Sequence, residues 1–568
     1  MLGDSELEFG RVLFLNPIVG LPGEDRLAVQ LLHSGGRPKT LSFQSQTDID
    51  DAALTSVPGL VDTEFLPQAP EKAVRFWLRK GPSFLLVLTV LIVTLEFMMA
   101  RGGMSDPDIW WHLRNAEYLF QTHHLPHVDT YSFTVAGQPW MNHEWLAEIP
   151  FYLAWRAGGL AGIKAISIVI IEVIFLLLLY LTQKESGNFK ASVVAVALST
   201  FLAKVSFGPR TILFGYLYLM VLLLILQRFR QKGSAPLWLI PPLFCLWINT
   251  HGSWSLGVIA FGIFVAAGLV EGKWGQLHSE KWTPAQWRKL LPVGLASGAA
   301  LFVNPFGYRL VLYPLDLAFR QKLNIAHVSE WVSVDFHDLR GRLVFLLIVT
   351  LLLGSLLRKR RWNLAELGLL LFALYSGLSY IRFLFLLGIV AAPVIAKILD
   401  FAPPYRLEED TPRFNAFVIL LMVAGILYYW PGSAELQRSL EKDYPTQALP
   451  YLQAHPPNGN VLNFYLWGGY LGWNDRDLKV FLDSRVDIFE YAGVLKDYFE
   501  VLGIQNSKAV FDKYEIRYIL FPQKEIITYT LEHDPEWKVL YRDSMTVLLE
   551  RVDADSRADL DVTQHTSQ

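Results

Sequence analysis

Residues 84–120, FLLVLTVLIVTLEFMMARGGMSDPDIWWHLRNAEYLF, decide how this chain is read. The first half is an apolar run near the roughly 20 residues that cross a bilayer as a helix. The second half places two aspartates, two tryptophans and a histidine within residues 105–112. A chain that turns from such a run straight to carboxylates and indoles is setting polar chemistry at a membrane boundary.

The rest of the sequence agrees with a polytopic membrane protein. Hydrophobic residues make up 52%, aromatic residues 14% and charged residues only 18%, and the apolar residues fall in blocks rather than amphipathic stripes. A soluble enzyme is excluded. The net charge of −3 gives no pointer to nucleic acid, and none is expected as a partner. The one cysteine, Cys245, lies inside an apolar segment, so neither a disulfide framework nor a cysteine metal site is expected.

Mainly apolar runs fall near 82–100, 161–182, 190–206, 211–228, 236–249, 254–271, 290–303, 343–357, 363–380, 383–399 and 414–430. They predict a mainly α bundle of about eleven spans, give or take one or two. Because the first run starts only near residue 82, no cleavable signal peptide is expected, and residues 1–75 read as a cytoplasmic tail. Lys72, Arg75, Arg79 and Lys80 precede the first span, and the alternate loops QKESGNFK, RFRQKGS and RKRRW are also basic. Basic loops stay cytoplasmic. The N-terminus is therefore expected inside, the C-terminus outside, and the chain in the cytoplasmic membrane as a multi-pass protein. The spans and their loops occupy residues 80–430.

Two outer loops, 101–160 and 304–342, are too long to be simple connectors. The second carries Arg309, Arg320, Lys322, Arg340 and Arg342 on the side where basic residues are usually scarce. One cause would be an anionic ligand such as a lipid phosphate. The other is attraction to headgroups, or pairing with Asp316, Glu330, Asp335 and Asp338. From residue 431 the apolar blocks give way to short β-rich runs (NVLNFY, LKVFLD, IRYILF, WKVLYR, TVLLER) between helical stretches. This predicts an extracytoplasmic α/β domain over 431–552, followed by a disordered tail over 553–568. Asp475, Arg476, Asp483, Arg485 and Asp487 within it read as a solvated polar face or turn residues.

The first outer loop holds the densest chemistry. Asp106 and Asp108 flank Pro107, and His112 follows four residues after Asp108. One carboxylate would suffice to cap a helix; a pair near the bilayer has a desolvation cost that function would explain. Trp110 and Trp111 read as interfacial anchors. Asn142, His143 and Glu144 precede a second interfacial helix, where a His-Glu pair can ligate a metal, act as acid and base, or cap. Arg210, His251 and Arg382 stand at span ends on the same outer side.

DPDIWWHL, HLPHVDTYSFTVAGQPWMNHEWLAEIPFYL, FGPRTILFGYL, WINTHGSW, VNPFGYRLVLYP, SEWVSVDFHD and NVLNFYLWGGYLGW together resemble a group of bacterial polytopic proteins related to the GT-C superfamily of membrane glycosyltransferases. The resemblance covers roughly residues 80–550. It implies transfer of a sugar from a polyprenyl-phosphate donor at the outer leaflet to a glycan, lipid or protein acceptor. It further implies that Asp108, then Asp106, is the catalytic base or helps bind a metal, with Glu330 as the later acidic partner and Glu144 its rival. His112, His143, Glu144, Arg210, His251, Arg309 and Arg382 are the expected substrate-binding groups, with Trp110 and Trp140 stacking on sugar. No acidic pair stands on a short second loop, which leaves the need for a divalent cation open. A role of another class, binding or transporting a lipid-linked glycan in envelope assembly, would place its charges near the midplane of broken spans; here they stand at the outer edge.

Overall fold

The computed structural model describes residues 81–104, 106–406 and 410–552. The expected tails, 1–75 and 553–568, lie outside the described residues. Each of the eleven apolar runs falls on a helix, but the helices are not alike. Among the described residues five are long and apolar enough to cross a membrane: Trp145–Ser186, Phe189–Ser206, Ile212–Lys232, Leu339–Leu357 and Ile381–Ile398. Pro412–Tyr428 makes a sixth together with Ser433–Leu440, from which it is bent by 56°. Phe84–Ala100, Leu237–Thr250, Trp254–Ala267 and Leu364–Ser379 are apolar but shorter. At 1.5 Å per residue, a helix of 14 to 17 residues rises only ~21–26 Å, short of the ~30 Å hydrocarbon thickness. The chain is thus a mainly helical, multi-pass membrane protein with five or six full-length apolar helices.

Leu384–Ile398 is the buried centre of the bundle. It packs on Phe189–Ala203 at small residues: Ser199 Oγ donates to the Gly388 carbonyl at 2.9 Å, and a Cβ at Gly388 would stand 3.1 Å from the Ser199 carbonyl oxygen. The long helix 145–186 is broken where Gly158 and Gly159 leave helical geometry, Gly159 at φ 56°. A left-handed residue without a Cβ has no steric penalty there. The break separates a first part, which belongs to the long loop 101–160, from the apolar part that follows.

Residues 460–551 carry a four-stranded sheet in the order Asn460–Asn463, Ile516–Pro522, Thr546–Arg551, Trp537–Arg542, with the first pair parallel and the others antiparallel. LKVFLD, expected as a strand, supplies only isolated bridges from Val480 to Val461 and to Ser132. The alternation along IRYILFP explains how the sheet is covered. Ile519 and Phe521 pack with Tyr498, Phe511 and Leu531 from the C-terminal helices. Tyr518 and Leu520 face the opposite way, into a cluster with Trp110, Leu113 and Ala116 of the first outer loop. That loop is the second layer over the sheet. Trp110, 2% exposed, meets Tyr444 and Tyr470 edge to face at 5.7 and 5.1 Å, so it neither anchors at an interface nor stacks on a ligand; full burial of such a side chain contributes about 1.5–3 kcal/mol.

The same contact is locked ionically. Arg485 donates to Asp483 Oδ2 at 2.7 Å and to Asp129 Oδ1 at 2.5 Å, with all three side chains at most 2% exposed. Thr134 Oγ1 donates to the Phe481 carbonyl at 2.5 Å and Arg114 to the Gly472 carbonyl at 2.7 Å. Removing the guanidinium strands two buried carboxylates. Arg485→Leu is therefore expected to destabilise the protein by about 3–5 kcal/mol and to speed hydrogen exchange over 129–135 and 478–487. A melting temperature and exchange pattern like the wild type would contradict the lock.

Candidate active site

The acidic segment is set by the end of helix Phe84–Ala100. Its last carbonyls would be unpaired, and Lys164, buried in the neighbouring helix, takes them: Nζ donates to the carbonyls of Ala100 at 3.0 Å, Gly103 at 2.8 Å, and Gly102. The chain then turns through Pro107 into helix Asp108–Thr122. Asp106 Oδ1 accepts the Asp108 N–H at 2.9 Å, so Asp106 closes the helix start and Asp108 stands free on its first turn. The Trp111 indole N–H is shared between Asp108 Oδ1 at 3.2 Å and Ser484 Oγ at 3.1 Å.

Arg210 meets these carboxylates from the segment before helix Ile212–Lys232. Its Nε lies 2.6 Å from Asp106 Oδ2, and its other arm pairs with Glu330 of the segment 304–342. The two long loops, 101–160 and 304–342, are thereby joined through one guanidinium. Beneath them Glu144 forms a hub: Oε2 meets His112 Nε2 at 3.2 Å and accepts from Thr211 Oγ1 at 2.8 Å. Oε1 meets His143 Nε2 at 3.4 Å and His251 Nε2 at 3.3 Å. His112 Nδ1 lies 3.1 Å from Glu148, which also accepts from Asn115 and Asn142, each at 2.8 Å.

The protonation states follow from these partners. Burial opposes charge on His112, but hydrogen bonds to Glu144 and Glu148 outweigh it and raise the imidazole to about 10. Burial likewise works against ionised Glu144, yet the surrounding imidazoles hold it well below the ordinary carboxyl range. His251 Nδ1 accepts the Ser253 N–H at 2.9 Å, which leaves the proton on Nε2 facing Glu144; burial lowers its pKa to about 4, so it is neutral. Asp108 has no basic partner in ion-pair contact among the described residues. Burial first, and then the neighbouring Asp106, push it up to about 7.

These groups border a cavity of about 650 Å³, in the size range of ligand sites. Asp106, Asp108, Trp140, His143, Glu144, Arg210, His251, Glu330 and Arg382 line it. Three expected residues do not: His112 stands behind the lining, Trp110 is under the sheet, and Arg309 is exposed in the first turn of helix Tyr308–Arg320. His112 acts from behind, through Glu144. Arg382, in the turn Ile381–Phe383, lays its guanidinium 4.3 Å from the centre of the Trp331 ring. Among the described residues no carboxylate lies within ion-pair distance of it. Trp111, Tyr313, Tyr465, Arg485 and Asp487 also line the cavity. Sequence reasoning passed over Tyr313 and Tyr465, read Trp111 as an anchor, and read Arg485 and Asp487 as a solvated face or turn residues, whereas both are buried; the signal for them was DSRVD, two acids around one arginine directly after a β-rich run.

Among the described residues no group of three or more His, Cys, Asp or Glu is disposed to hold a metal ion. The donor chemistry shows why: both nitrogens of His112 face carboxylates, His251 Nε2 carries its proton, and Arg210 fills the space between Asp106 and Glu330. The residues do not fit a divalent cation.

No protein-family model matches the chain, and no curated protein matches it. Among solved structures it is similar to the oligosaccharyltransferase of Archaeoglobus fulgidus tethered to an acceptor peptide containing the NVT sequon, at 13% identity and a TM-score of 0.48, over 79% of this chain and 70% of that one. The apo form of the same archaeal enzyme gives 13% identity and a TM-score of 0.47, over 78% and 70%.

Two outcomes are expected. His112 titrates at about 10 in the folded protein against an ordinary 6.5, so its stabilisation is complete below pH 6.5 and is lost as pH rises towards 10. The gap in melting temperature between wild type and His112→Gln should narrow over that window; a constant gap would contradict the assignment. In Mn²⁺ titrations followed by electron paramagnetic resonance, the wild type should bind no ion at Asp106 and Glu330, whereas Arg210→Ala should gain a site. Wild-type binding that Asp106→Asn abolishes would show the opposite.

Proposed function

We propose that this chain is a membrane glycosyltransferase that moves a sugar from a polyprenyl-phosphate donor to a hydroxyl on a glycan, lipid or protein acceptor, with Asp108 as general base. The observation that carries this reading is the pairing, in one cavity, of a carboxyl raised to about 7 and a guanidinium without a carboxylate partner, Asp108 and Arg382. A general base works best with a pKa near the operating pH. An unneutralised guanidinium in a desolvated cavity is suited to a phosphate.

The reaction follows from those two groups. The acceptor hydroxyl donates a hydrogen bond to Asp108. As its oxygen bonds to the anomeric carbon, the bond from that carbon to the phosphate oxygen breaks. The electron pair leaves with the phosphate, whose added charge meets Arg382, and the hydroxyl proton passes to Asp108. Arg210 holds Asp106 and Glu330 in place and adds positive charge at the same wall. No step runs through a metal.

In this reading all eleven apolar helices cross the membrane, the shorter ones within the bundle. The N-terminus is cytoplasmic, and residues 431–552 form an extracytoplasmic domain above the cavity. The basic loops that flank alternate spans support that orientation. A protein that only binds or transports lipid-linked glycan would have no use for a carboxyl held near neutrality beside the bound phosphate.

The test supplies purified protein with labelled polyprenyl-phosphate sugars and a panel of hydroxyl acceptors. Asp108→Asn is expected to lower turnover roughly 10²–10⁴-fold while donor binding persists. Because the base acts deprotonated, wild-type kcat/KM should rise with pH and level off above about 7. Unchanged turnover in Asp108→Asn would remove the base, and wild-type binding without transfer for every donor and acceptor would favour the binding role.

A further inference from the structure

The transfer mechanism uses Asp108, Arg210 and Arg382 and leaves another part of the cavity without a task. Asp487, 9% exposed, lines that part, as do Tyr313, Trp140 and His143. The nearest arginine, Arg485, is already committed to Asp129 and Asp483. Among the described residues no basic side chain lies within ion-pair distance of Asp487. The Ile488 N–H and the Trp140 indole face it, but a carboxyl desolvated without a cation in ion-pair contact is costly unless a ligand supplies further donors. Aromatic surface adjoins it. The Tyr313 and His143 rings lie 4.3 Å apart at 32°, and Trp140, held edge to face by Trp111 at 5.7 Å, backs the same wall.

We propose that Asp487, Tyr313, Trp140 and His143 form a subsite for the ring of a neutral sugar, whose adjacent hydroxyls bind the Asp487 carboxylate while its C–H face rests on Tyr313. This rests on the transferase reading in giving that ring the acceptor's place. The charge pattern selects the ligand. Burial opposes charge on His143, but Glu144 outweighs it and raises the imidazole above its ordinary pKa; His143 partly offsets Asp487, so this wall favours a neutral polar molecule, whereas Arg382, without a carboxylate partner among the described residues, favours an anion. A carboxylate with two acceptor oxygens suits vicinal hydroxyls, and aromatic faces take the apolar side of a pyranose. Burial holds Asp487 above the ordinary carboxyl range; two hydroxyl donors would return it towards the ionised form.

The test uses the full-length protein in detergent, probed by saturation-transfer difference NMR with the methyl glycosides of glucose, mannose, galactose and N-acetylglucosamine. At least one glycoside should bind the wild type. Asp487→Leu and Tyr313→Leu should each weaken it tenfold or more, while binding of farnesyl phosphate to the same variants stays within twofold and reports that they are folded. Absence of glycoside binding at ~50 mM, well above the millimolar Kd of a weak site, would overturn the subsite. So would glycoside affinity in Asp487→Leu within twofold of wild type. If the glycosides bind as expected while no donor supports transfer, the transferase reading fails and the subsite stands as a sugar-binding site.

Discussion

The Glu144 carboxylate is the constraint on which the site depends. It ties together four separate pieces of chain: helix Asp108–Thr122 through His112, its own loop through His143, the start of helix Ile212–Lys232 through Thr211, and the turn after Ile240–Thr250 through His251. A carboxylate so deeply buried is tolerable only when its oxygens are filled. The imidazolium of His112 and the hydroxyl of Thr211 fill one oxygen, and the two other histidines fill the second. Any piece that shifted would leave a charge unpaired in a low-dielectric interior, so the four pieces hold one another in register.

Around that hub nearly every charge is cancelled at short range. Arg485 is neutralised by Asp129 and Asp483, Arg210 by Asp106 and Glu330, and His112 by Glu144 and Glu148. Among the described residues, the cavity charges left without an ion-pair partner are small in number and separated in kind: Asp108, Arg382 and Asp487, the last offset only by His143, itself paired with Glu144. Paired charges give a rigid frame, whereas unpaired ones retain the capacity to bind or to exchange protons. Burial raises Asp106 as well, but Arg210 opposes that shift, whereas Asp108, without such a partner and beside Asp106, is pushed up to about 7.

Much of this was legible in the chain itself. Asp106, Asp108, Arg210, His251 and Arg382 stand at or near the ends of apolar runs, and Glu144 and Glu330 in the two long loops, all on the side that the basic loops lead one to expect outside; the structure brings them to one cavity. The errors have physical causes. A tryptophan beside an apolar run reads as an interfacial anchor, but the alternation of Tyr518 and Leu520 against Ile519 and Phe521 leaves one sheet face open, and Trp110 closes it. Arg309 shares a helix with Tyr313, and the four-residue spacing puts them on one face, yet Arg309 is exposed in the first turn and does not line the cavity. Lys164 drew no reading from the sequence, although it falls inside the apolar run 161–182, and only the end of helix Phe84–Ala100 shows what it holds. Arg485 and Asp487 lie far along the chain from the outer loops, in a polar run that by itself reads as a solvated turn. The number of spans was the least secure inference, because apolar composition marks a buried helix and a membrane-crossing one alike.

The most direct measurement is a structure of the protein with a polyprenyl-phosphate sugar bound in lipid nanodiscs. The account predicts the phosphate within hydrogen-bond distance of the Arg382 guanidinium, with the anomeric carbon turned towards Asp108 across the cavity and Arg210 still joining Asp106 to Glu330. A phosphate seated outside this cavity, or an anomeric carbon facing away from Asp108, would contradict it.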